Sequence, residues 1–227
     1  MTNNIINVLD HGSVRLVEHM GSDLSIVRNA RVSYDAEWRS GEDEGKDAKL
    51  IDYLVKNYHT SPLEAVNLTF DVRAPIFVAR QHMRHRVFSF NEISARYSEL
   101  PAVFYTPWVD QITTQSPTNK QMRTKEQHPQ ALYFQDLMRK TCADAFTAYK
   151  EMIDAGVPRE LARGVLPMNT YTHYFCTVDL HNLMKFCKLR LHPHAQHEIQ
   201  VYAQAMLDLA KQAAPITIAA VERHWIA

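Results

Sequence analysis

The sequence predicts a single domain of the α/β class, of the α+β type, with a central, mainly antiparallel sheet flanked by helices and a helical C-terminal half. From residue 66 to 72 every second side chain is apolar, which is the period of a half-buried strand. Most of residues 132–213 instead repeat apolar side chains at helical spacing. A chain of 227 residues with 46% hydrophobic content is long enough to bury one large core, so we expect residues 1–227 to form one unit.

The N-terminal third adds one strand and two helices to this prediction. Residues 14–19 alternate between apolar and polar side chains and are predicted as a strand, whereas residues 22–32 place apolar side chains near helical spacing. Residues 41–49 form a charged, glycine-bearing connector. The apolar residues after it fit one face of a helix that ends near Tyr58.

A short basic helix is predicted directly after the strand at 66–72. Pro75 stands where a helix takes its first residue, and residues 76–86 contain good helix formers without an internal breaker. Arg80 and Arg84 are four residues apart and would share a helix face, whereas Arg86 would project elsewhere. This cluster can therefore surround a ligand.

The rest of the chain is predicted as a long loop followed by helices. Residues 106–130 are poor in aliphatic side chains and rich in Thr, Gln, Pro and Lys, which indicates a mobile surface loop or lid. Helices are then predicted at 132–155, from Pro158 to about 165, at 182–191 and at 193–213.

Composition excludes several classes of protein. Lys and Arg balance Asp and Glu at 25 each, so the basic excess of proteins held to nucleic acid by phosphate contacts is missing, and we expect no nucleic-acid partner. No apolar run approaches the roughly 20 residues of a membrane helix, and the N-terminus lacks the pattern of a signal peptide, so we expect a cytoplasmic protein without a membrane partner. Cys142, Cys176 and Cys187 form no CxxC pair and are predicted to be reduced, buried thiols.

Glycine usage restricts how a phosphate could be bound. The six glycines form neither GxGxxG nor a P-loop, so side chains must hold any phosphate, and the planar fork of arginine suits that contact. Residues 73–96 carry five arginines, and Glu92 is the only acid among them. An anionic ligand is therefore expected at this segment.

The polar side chains that follow the arginines could recognise such a ligand. Ser89, Asn91, Glu92, Ser94 and Arg96 offer hydroxyls, an amide, a carboxylate and a guanidinium within eight positions of a predicted loop. A solvated basic helix followed by a polar loop would have the same composition. Spacing alone does not decide between the two.

Residues 84–96 resemble the signature of the flavin-dependent thymidylate synthase family, RHRxxSxNxxSxR, at every fixed position. Residues 16–34, 59–100 and 156–202 also resemble the family, so the likeness covers most of the chain. It implies a homotetrameric enzyme that methylates dUMP to dTMP, takes the carbon from methylenetetrahydrofolate, and uses FAD reduced by NADPH as the hydride donor.

The resemblance also implies roles for individual residues. Contacts to FAD are implied for His59, Ser61, Arg84, His85, Arg86, Asn91, Glu92, His181 and Lys185. Contacts to dUMP are implied for Gln81, Glu92, Ser94, Arg96, Arg163 and Arg190, of which Ser94 and Arg190 are implied to be catalytic. The chain departs from the family at Asp179, His181 and Lys185, where some members have Asn, Arg and Asn, so the adenine or ribose end of FAD would be held differently.

Arg190 has the most specific implied role. In the family this arginine lies against the pyrimidine, where a fixed cation can stabilise the negative charge that develops on the uracil carbonyls as C5 becomes nucleophilic. The other class of thymidylate synthase uses a cysteine nucleophile, but none of the three cysteines adjoins a plausible activating base. The resemblance accordingly implies hydride delivery from reduced flavin.

Two other classes of function are open at this point. His192, His194, His197 and Glu198 could ligate a metal in a hydrolase, although HExxH spacing is absent and we expect no metal. The arginine segment could instead belong to a non-catalytic nucleotide-binding or RNA-binding module. A stoichiometric metal content or salt-sensitive RNA binding would indicate these alternatives.

Overall fold

The computed structural model describes residues 4–226, which form one α/β domain around a five-stranded sheet. The strands are β1 (Ile5–Val8), β2 (Gly12–Met20), β3 (Asn67–Pro75), β4 (Ser89–Glu92), β5 (Thr113–Gln115), β6 (Arg123–Gln127) and β7 (Tyr171–Asp179). The large sheet has the order β1-β2-β3-β7-β4, and every neighbouring pair in it is antiparallel. β5 and β6 form a separate hairpin. The predicted fold class is confirmed.

Helices cover one face of the large sheet. They are α1 (Asp23–Arg31), α2 (Glu44–Lys56), α3 (Ile76–His82), α4 (Ala131–Asp154), α5 (Arg159–Ala162), α6 (Leu180–Arg190), α7 (His197–Ala210) and α8 (Pro215–Val221). α6 and α7 bring buried side chains such as Phe186, Tyr202 and Met206 into the same core as the inner residues of β2, β3 and β7. Burial of this apolar surface is the main stabilising contribution to the fold.

The two central strands show why the sheet has one buried and one open face. On β3, Leu68 and Phe70 are buried, whereas Asp71 between the inner positions points away from the core. On β7, Tyr174 is buried and His173 is exposed. Asp71 accepts hydrogen bonds from Arg15 (Nη2 to Oδ2, 2.6 Å) and joins His173 (Nε2 to Oδ1, 2.6 Å), so the open face carries an ion-pair network.

Several predicted elements are confirmed. The strand predicted at 14–19 lies within β2, and the strand at 66–72 corresponds to β3. The helix predicted at 22–32 corresponds to α1, and those predicted at 132–155 and 182–191 correspond to α4 and α6. The three cysteines are buried and free, as predicted.

The helix predicted at 76–86 begins at Ile76 as expected, but it ends four residues early and Pro75 is not its first residue. Pro75 has ψ of 143° and is the last residue of β3, and α3 ends at His82. The chain turns between residues 83 and 88 because buried Phe88 packs back against His82 (ring centroids 4.8 Å apart), which a continuous helix would prevent. Arg84 therefore does not share a helix face with Arg80.

Two predicted connectors contain regular structure. Asp43 accepts a hydrogen bond from the Lys46 backbone (3.1 Å) and caps α2, which therefore begins inside the predicted connector 41–49. The predicted loop 106–130 contains β5 and β6, which are joined through the hydroxyls of Thr114 and Thr124 (2.6 Å). Both segments are polar, so neither shows the apolar period that would reveal it.

The C-terminal half is less uniformly helical than predicted. β7 interrupts it, although the alternation of Tyr174, Cys176 and Val178 with exposed residues is a strand signal. α7 begins at His197 rather than near Pro193. α8 and β1 lie where no element was predicted. Among residues 4–226, no helix combines the length and apolar character needed to cross a membrane.

Candidate active site

Arg190, at the C-terminal end of α6, is held against the turn that follows α3. Its Nε donates to Nε2 of His85 (3.0 Å), and its Nη2 donates to the backbone oxygen of Gln81 (3.4 Å). The Gln81 side chain in turn bonds to the side chain of Gln196, in the turn before α7. Four residues from two distant parts of the sequence therefore form one cluster, the arginine cluster: Gln81, His85, Arg190 and Gln196.

The protonation state of His85 fits this contact. Burial, and secondly the adjacent Arg190 charge, lower the pKa of His85 to about 4, so the ring is neutral at pH 7. Because Arg190 Nε is a donor, Nε2 of His85 must accept and its proton must lie on Nδ1. Burial also lowers the pKa of Arg190, which nevertheless remains a cation. The contact fixes a half-buried positive charge at one orientation.

A buried aromatic cluster packs against His85 of the arginine cluster. The Phe186 ring packs edge-on to His85 (centroids 4.9 Å apart) and stacks on His82 (4.7 Å). His82 is fully buried and its Nδ1 is bonded to the Tyr174 hydroxyl (3.0 Å), which ties α3 to the sheet. Its Nε2 has no hydrogen-bond partner among the described residues. His82 is thus a core histidine that must remain neutral.

His82 should make the stability of the protein depend on pH. Burial, followed by the charges of His85 and Arg190, lowers the pKa of His82 to about 3. The unfolded chain binds a proton near pH 6.5, so stability is complete above that pH and falls by about 1.4 kcal/mol per pH unit as the pH drops toward 3. His82→Phe fits the aromatic surroundings and removes this contribution. Between pH 7 and pH 5 the variant should lose about 2 kcal/mol less free energy of unfolding than the wild type.

Urea unfolding at several pH values measures this difference. The slope of the free energy of unfolding against pH should be smaller for His82→Phe, even if the variant is less stable at pH 7 because Tyr174 loses its partner. Parallel curves for the two proteins would contradict the proposed state of His82.

The other residues predicted to bind the nucleotide lie at or beyond the end of β4 and, for Arg163, in the turn directly after α5. Glu92 Oε1 accepts from the Thr172 hydroxyl (2.6 Å), and Ser94 Oγ accepts from the Arg96 backbone (3.3 Å). The Arg96 guanidinium lies over the Tyr97 ring (5.4 Å), and Arg163 is exposed with its Nε 3.4 Å from the Glu160 backbone oxygen. Across residues 4–226, no hydrogen bond or ion pair joins these side chains to the arginine cluster.

A second group of predicted residues lines a separate groove. His59 and Ser61 border a groove of about 740 Å³, and the His59 ring packs edge-on to Tyr53 (5.6 Å). Tyr34 and Tyr58 also line the groove, with the polar side chains of Asn29 and Ser33. Sequence reasoning assigned none of these neighbours, because they come from α1 and α2 and from the segments that follow them.

The departures from the family lie on α6. Asp179 caps α6 and accepts hydrogen bonds from the backbone and the side chain of Asn182 (2.9 and 2.6 Å). His181 Nδ1 is 3.4 Å from Glu64 Oε1, in the same short helical turn as Ser61. Lys185 is exposed one turn further along. His181 and Lys185 therefore lie on the same side of α6, and Asp179 has a structural role.

His85 is partly buried, whereas the two arginines beside it in the motif are exposed. Arg84 and Arg86 are exposed on the turn between α3 and β4, and Asn91 is exposed on β4, the edge strand of the sheet. The predicted residues therefore fall on several parts of the surface of one copy: the arginine cluster, the end of β4, the turn after α5, and the groove.

The histidine and glutamate cluster considered for a metal is not assembled. Glu198 accepts from the Tyr105 hydroxyl (3.0 Å) and from Arg123 Nη1 (3.1 Å), so its charge is used inside the protein. His197 is bonded to Gln111, and His194 packs edge-on to His192 (4.8 Å). Within residues 4–226 no three His, Cys, Asp or Glu side chains are grouped to hold a metal ion.

The cysteines do not resemble nucleophiles. Burial raises the pKa of Cys176 and of Cys187 well above the ordinary value of a thiol. Cys142 is also buried, and its sulfur lies beside the Asn169 side chain (3.2 Å from Nδ2). These thiols pack in the interior of the fold.

Comparison with known proteins identifies the family of the chain. The family described as thymidylate synthase complementing protein matches residues 15–216. A flavin-dependent thymidylate synthase of Treponema denticola is 47% identical over 219 residues, which cover 96% of this chain and 81% of the relative. One of Thermus thermophilus is 47% identical over 224 residues, covering 97% of this chain and 79% of the relative.

A solved structure extends the comparison to three dimensions. The UMP/dUMP methylase PolB from Streptomyces cacaoi, bound with 5-Br dUMP, superposes with a TM-score of 0.87 at 35% identity. The match covers 98% of this chain and 99% of that one. The chain therefore belongs to the family of flavin-dependent thymidylate synthases, the thymidylate synthase complementing proteins.

Proposed function

We propose that this chain methylates dUMP to dTMP, with FAD as its flavin, methylenetetrahydrofolate as the carbon donor and NADPH as the reductant. The observation that carries the proposal is the arginine cluster, in which His85 and Gln81 hold Arg190 as a fixed, half-buried cation. The Nη1 group of Arg190 forms no hydrogen bond to the described residues and is available to a ligand.

In this proposal the arginine cluster binds the pyrimidine. Arg190 donates to a uracil carbonyl oxygen and stabilises the negative charge that develops there as C5 attacks the one-carbon unit. The cation is already oriented by His85, so little reorganisation is needed during the reaction. Gln81, whose side chain is tethered to Gln196, orients the ring by hydrogen bonds.

The phosphate end of dUMP is assigned to residues at or beyond the end of β4 and to Arg163 directly after α5. Arg96 and Arg163 supply charge and forked donors, and the Ser94 hydroxyl supplies a further donor. Ser94, for which the resemblance also implies catalysis, acts here by positioning the nucleotide. Glu92, tied to Thr172, adds a hydrogen-bond acceptor at the same end.

The groove beside His59 and Ser61 fits a flavin. Its tyrosines offer flat faces for an aromatic ring, and Asn29 and Ser33 offer hydrogen-bonding groups at its edge. Arg84, Arg86 and Asn91, with His181 and Lys185, supply donors for the phosphates and ribose. The chemistry that bound FAD supplies is hydride transfer. The protein residues orient the nucleotide and stabilise charge.

We further propose that copies of the chain associate as a homotetramer that completes each site. The predicted residues lie on separate parts of one copy, and the open face and the motif segment expose apolar side chains, among them Phe175, Ile93 and Val87. Apolar surface of this kind is typical of an interface. We place the enzyme in the cytoplasm, where reduced thiols such as the three free cysteines persist.

Mixing two inactive variants tests whether the site is shared. Arg96→Ala and Arg190→Ala should each lose nearly all dTMP formation. If one copy supplies Arg96 and another supplies Arg190, random mixed oligomers contain intact sites and should recover about a quarter of wild-type activity. Co-expression with two different tags isolates the mixed species. Activity no higher than that of either parent would show that both arginines act within one copy.

Anaerobic turnover with NADPH, FAD, methylenetetrahydrofolate and dUMP tests the reaction itself. Formation of dTMP that requires all four components is the expected result. UMP is assayed in parallel, because the similar PolB is described as a UMP/dUMP methylase. A colourless protein with stoichiometric zinc, or one that binds RNA and shows no dUMP-dependent oxidation of NADPH, would overturn the proposal.

A further inference from the structure

A polar cleft of about 580 Å³ separates the β5–β6 hairpin from the turn that joins α6 to α7. Gln111, Thr113, Gln115, Arg123 and Lys125 line it on the hairpin side. Gln196 lines the opposite side and also bonds to Gln81 in the arginine cluster. The cleft and the arginine cluster therefore share a residue, and a ligand could reach from one to the other.

The hairpin wall of the cleft is fixed by a buried ion pair. Arg123 Nη1 donates to Oε1 of Glu198 (3.1 Å), which is 3% exposed, and to the Gln111 backbone oxygen (3.3 Å). The Nε and Nη2 groups of Arg123 have no acceptor among the described residues. Lys125 likewise forms no ion pair within residues 4–226. The cleft thus presents two cations whose donors are available, against one acidic side chain, Asp110, in its lining.

Two buried oxygen atoms without a hydrogen-bond partner among the described residues indicate which groups a ligand must supply. The Gln111 side chain bonds through Nε2 to His197 (3.3 Å), and its Oε1 is buried without a partner. Thr113 Oγ1 is also buried without a partner in the described residues. A carboxylate or a fully ionised phosphate group only accepts hydrogen bonds and cannot satisfy Gln111 Oε1. The cleft therefore suits a ligand that combines negative charge with amide N–H groups.

We propose that this cleft binds the glutamyl tail of the folate co-substrate, an inference that rests on the proposed function. Each γ-linked glutamyl unit carries a carboxylate for Lys125 and Arg123 and an amide N–H for Gln111 Oε1. The reactive end of the same folate then lies toward Gln196 and the arginine cluster. The tail thus carries both the carboxylates and the amide N–H groups that these side chains can bind.

Equilibrium binding of p-aminobenzoyl-γ-triglutamate to the flavin-loaded oligomer tests this proposal. Isothermal titration calorimetry should show saturable binding that weakens about tenfold in Lys125→Gln, which is the loss expected for one charge-assisted hydrogen bond. The matched control is Lys120→Gln, on the same hairpin but outside the cleft lining, and it should bind like the wild type. No saturable binding to the wild type, equal affinity in Lys125→Gln, or displacement of the probe by NADP⁺ would overturn the proposal.

A kinetic comparison separates this inference from the proposed function. The KM for triglutamyl methylenetetrahydrofolate should be lower than that for the monoglutamyl form, and the ratio of the two should approach one in Lys125→Gln. An unchanged ratio contradicts the cleft assignment while dTMP formation still supports the reaction. If no folate supports dTMP formation, the proposed function fails, and the probe titration still reports on the cleft.

Discussion

Arg190→Ala is expected to lower the turnover of dUMP by about 10² to 10³-fold while the purified protein keeps its flavin colour. This loss is the one expected when a fixed charge opposite a developing oxyanion is removed. The arginine donates to His85 and to Gln81, so its orientation is set before the nucleotide binds. A preorganised charge in a half-buried site stabilises the transition state more than the ground state.

The planar, forked guanidinium of Arg190 allows a second, graded test of its role. Arg190→Lys keeps the charge, but a single ammonium cannot donate to His85, to Gln81 and to a uracil oxygen in the planar geometry of guanidinium. Its turnover should therefore lie between that of the wild type and that of Arg190→Ala.

Single-turnover measurement of dTMP, with the flavin absorbance recorded in the same samples, checks this prediction. Arg139→Ala is the control, because Arg139 is exposed on α4 and, among the described residues, forms an ion pair only with exposed Asp136 (3.5 Å). It should turn over at the wild-type rate. Turnover of Arg190→Ala within about threefold of the wild type would refute the catalytic role. Loss of flavin together with turnover would instead place Arg190 at the cofactor.

Arg123→Ala is expected to lower the free energy of unfolding by about 3 kcal/mol, near the low end for breaking a buried ion pair. The cost comes from the partner that remains. Burial opposes ionisation of Glu198, but the Arg123 charge and nearby hydrogen bonds hold its pKa below the ordinary value. Without Arg123 an almost fully buried carboxylate keeps neutral hydrogen-bond partners such as Tyr105 but has no ion-pair partner within residues 4–226, and its pKa should rise.

Urea unfolding at one fixed protomer concentration measures this effect, since association also contributes to apparent stability. Arg139→Ala again serves as the control, and the loss of its exposed pair should cost less than about 0.5 kcal/mol. Arg123 is 36% exposed, so solvent screens part of the interaction and a value above 3 kcal/mol is not expected. A cost equal to that of the control would mean that the hairpin is not held by Glu198. The mobility predicted for residues 106–130 remains a prediction. The unfolding cost of Arg123→Ala measures how firmly the hairpin in this segment is held.

The arginine segment illustrates how far residue spacing predicts a site. The composition of residues 73–96 indicated a local anion site, and the RHRxxSxNxxSxR pattern indicated the family, because side-chain chemistry is written directly in the sequence. The pattern did not show that His85 points at Arg190, which lies 105 positions away. Nor did it identify Gln196 or the tyrosines of the groove. Such contacts depend on how separate elements pack, which no local period encodes.

The fold, likewise, could be predicted only in part from the sequence. Apolar periods in the sequence determined β2, β3, α1, α4 and α6, because each buries one regular stripe against the core. Only the tertiary structure decided that α3 ends at His82, where Phe88 must return to the aromatic cluster. The polar hairpin β5–β6 is fixed by Arg123 and a buried glutamate on a distant helix. The sequence by itself thus determined the family and the residue types of the site, and the packing of distant elements decided which of those residues meet.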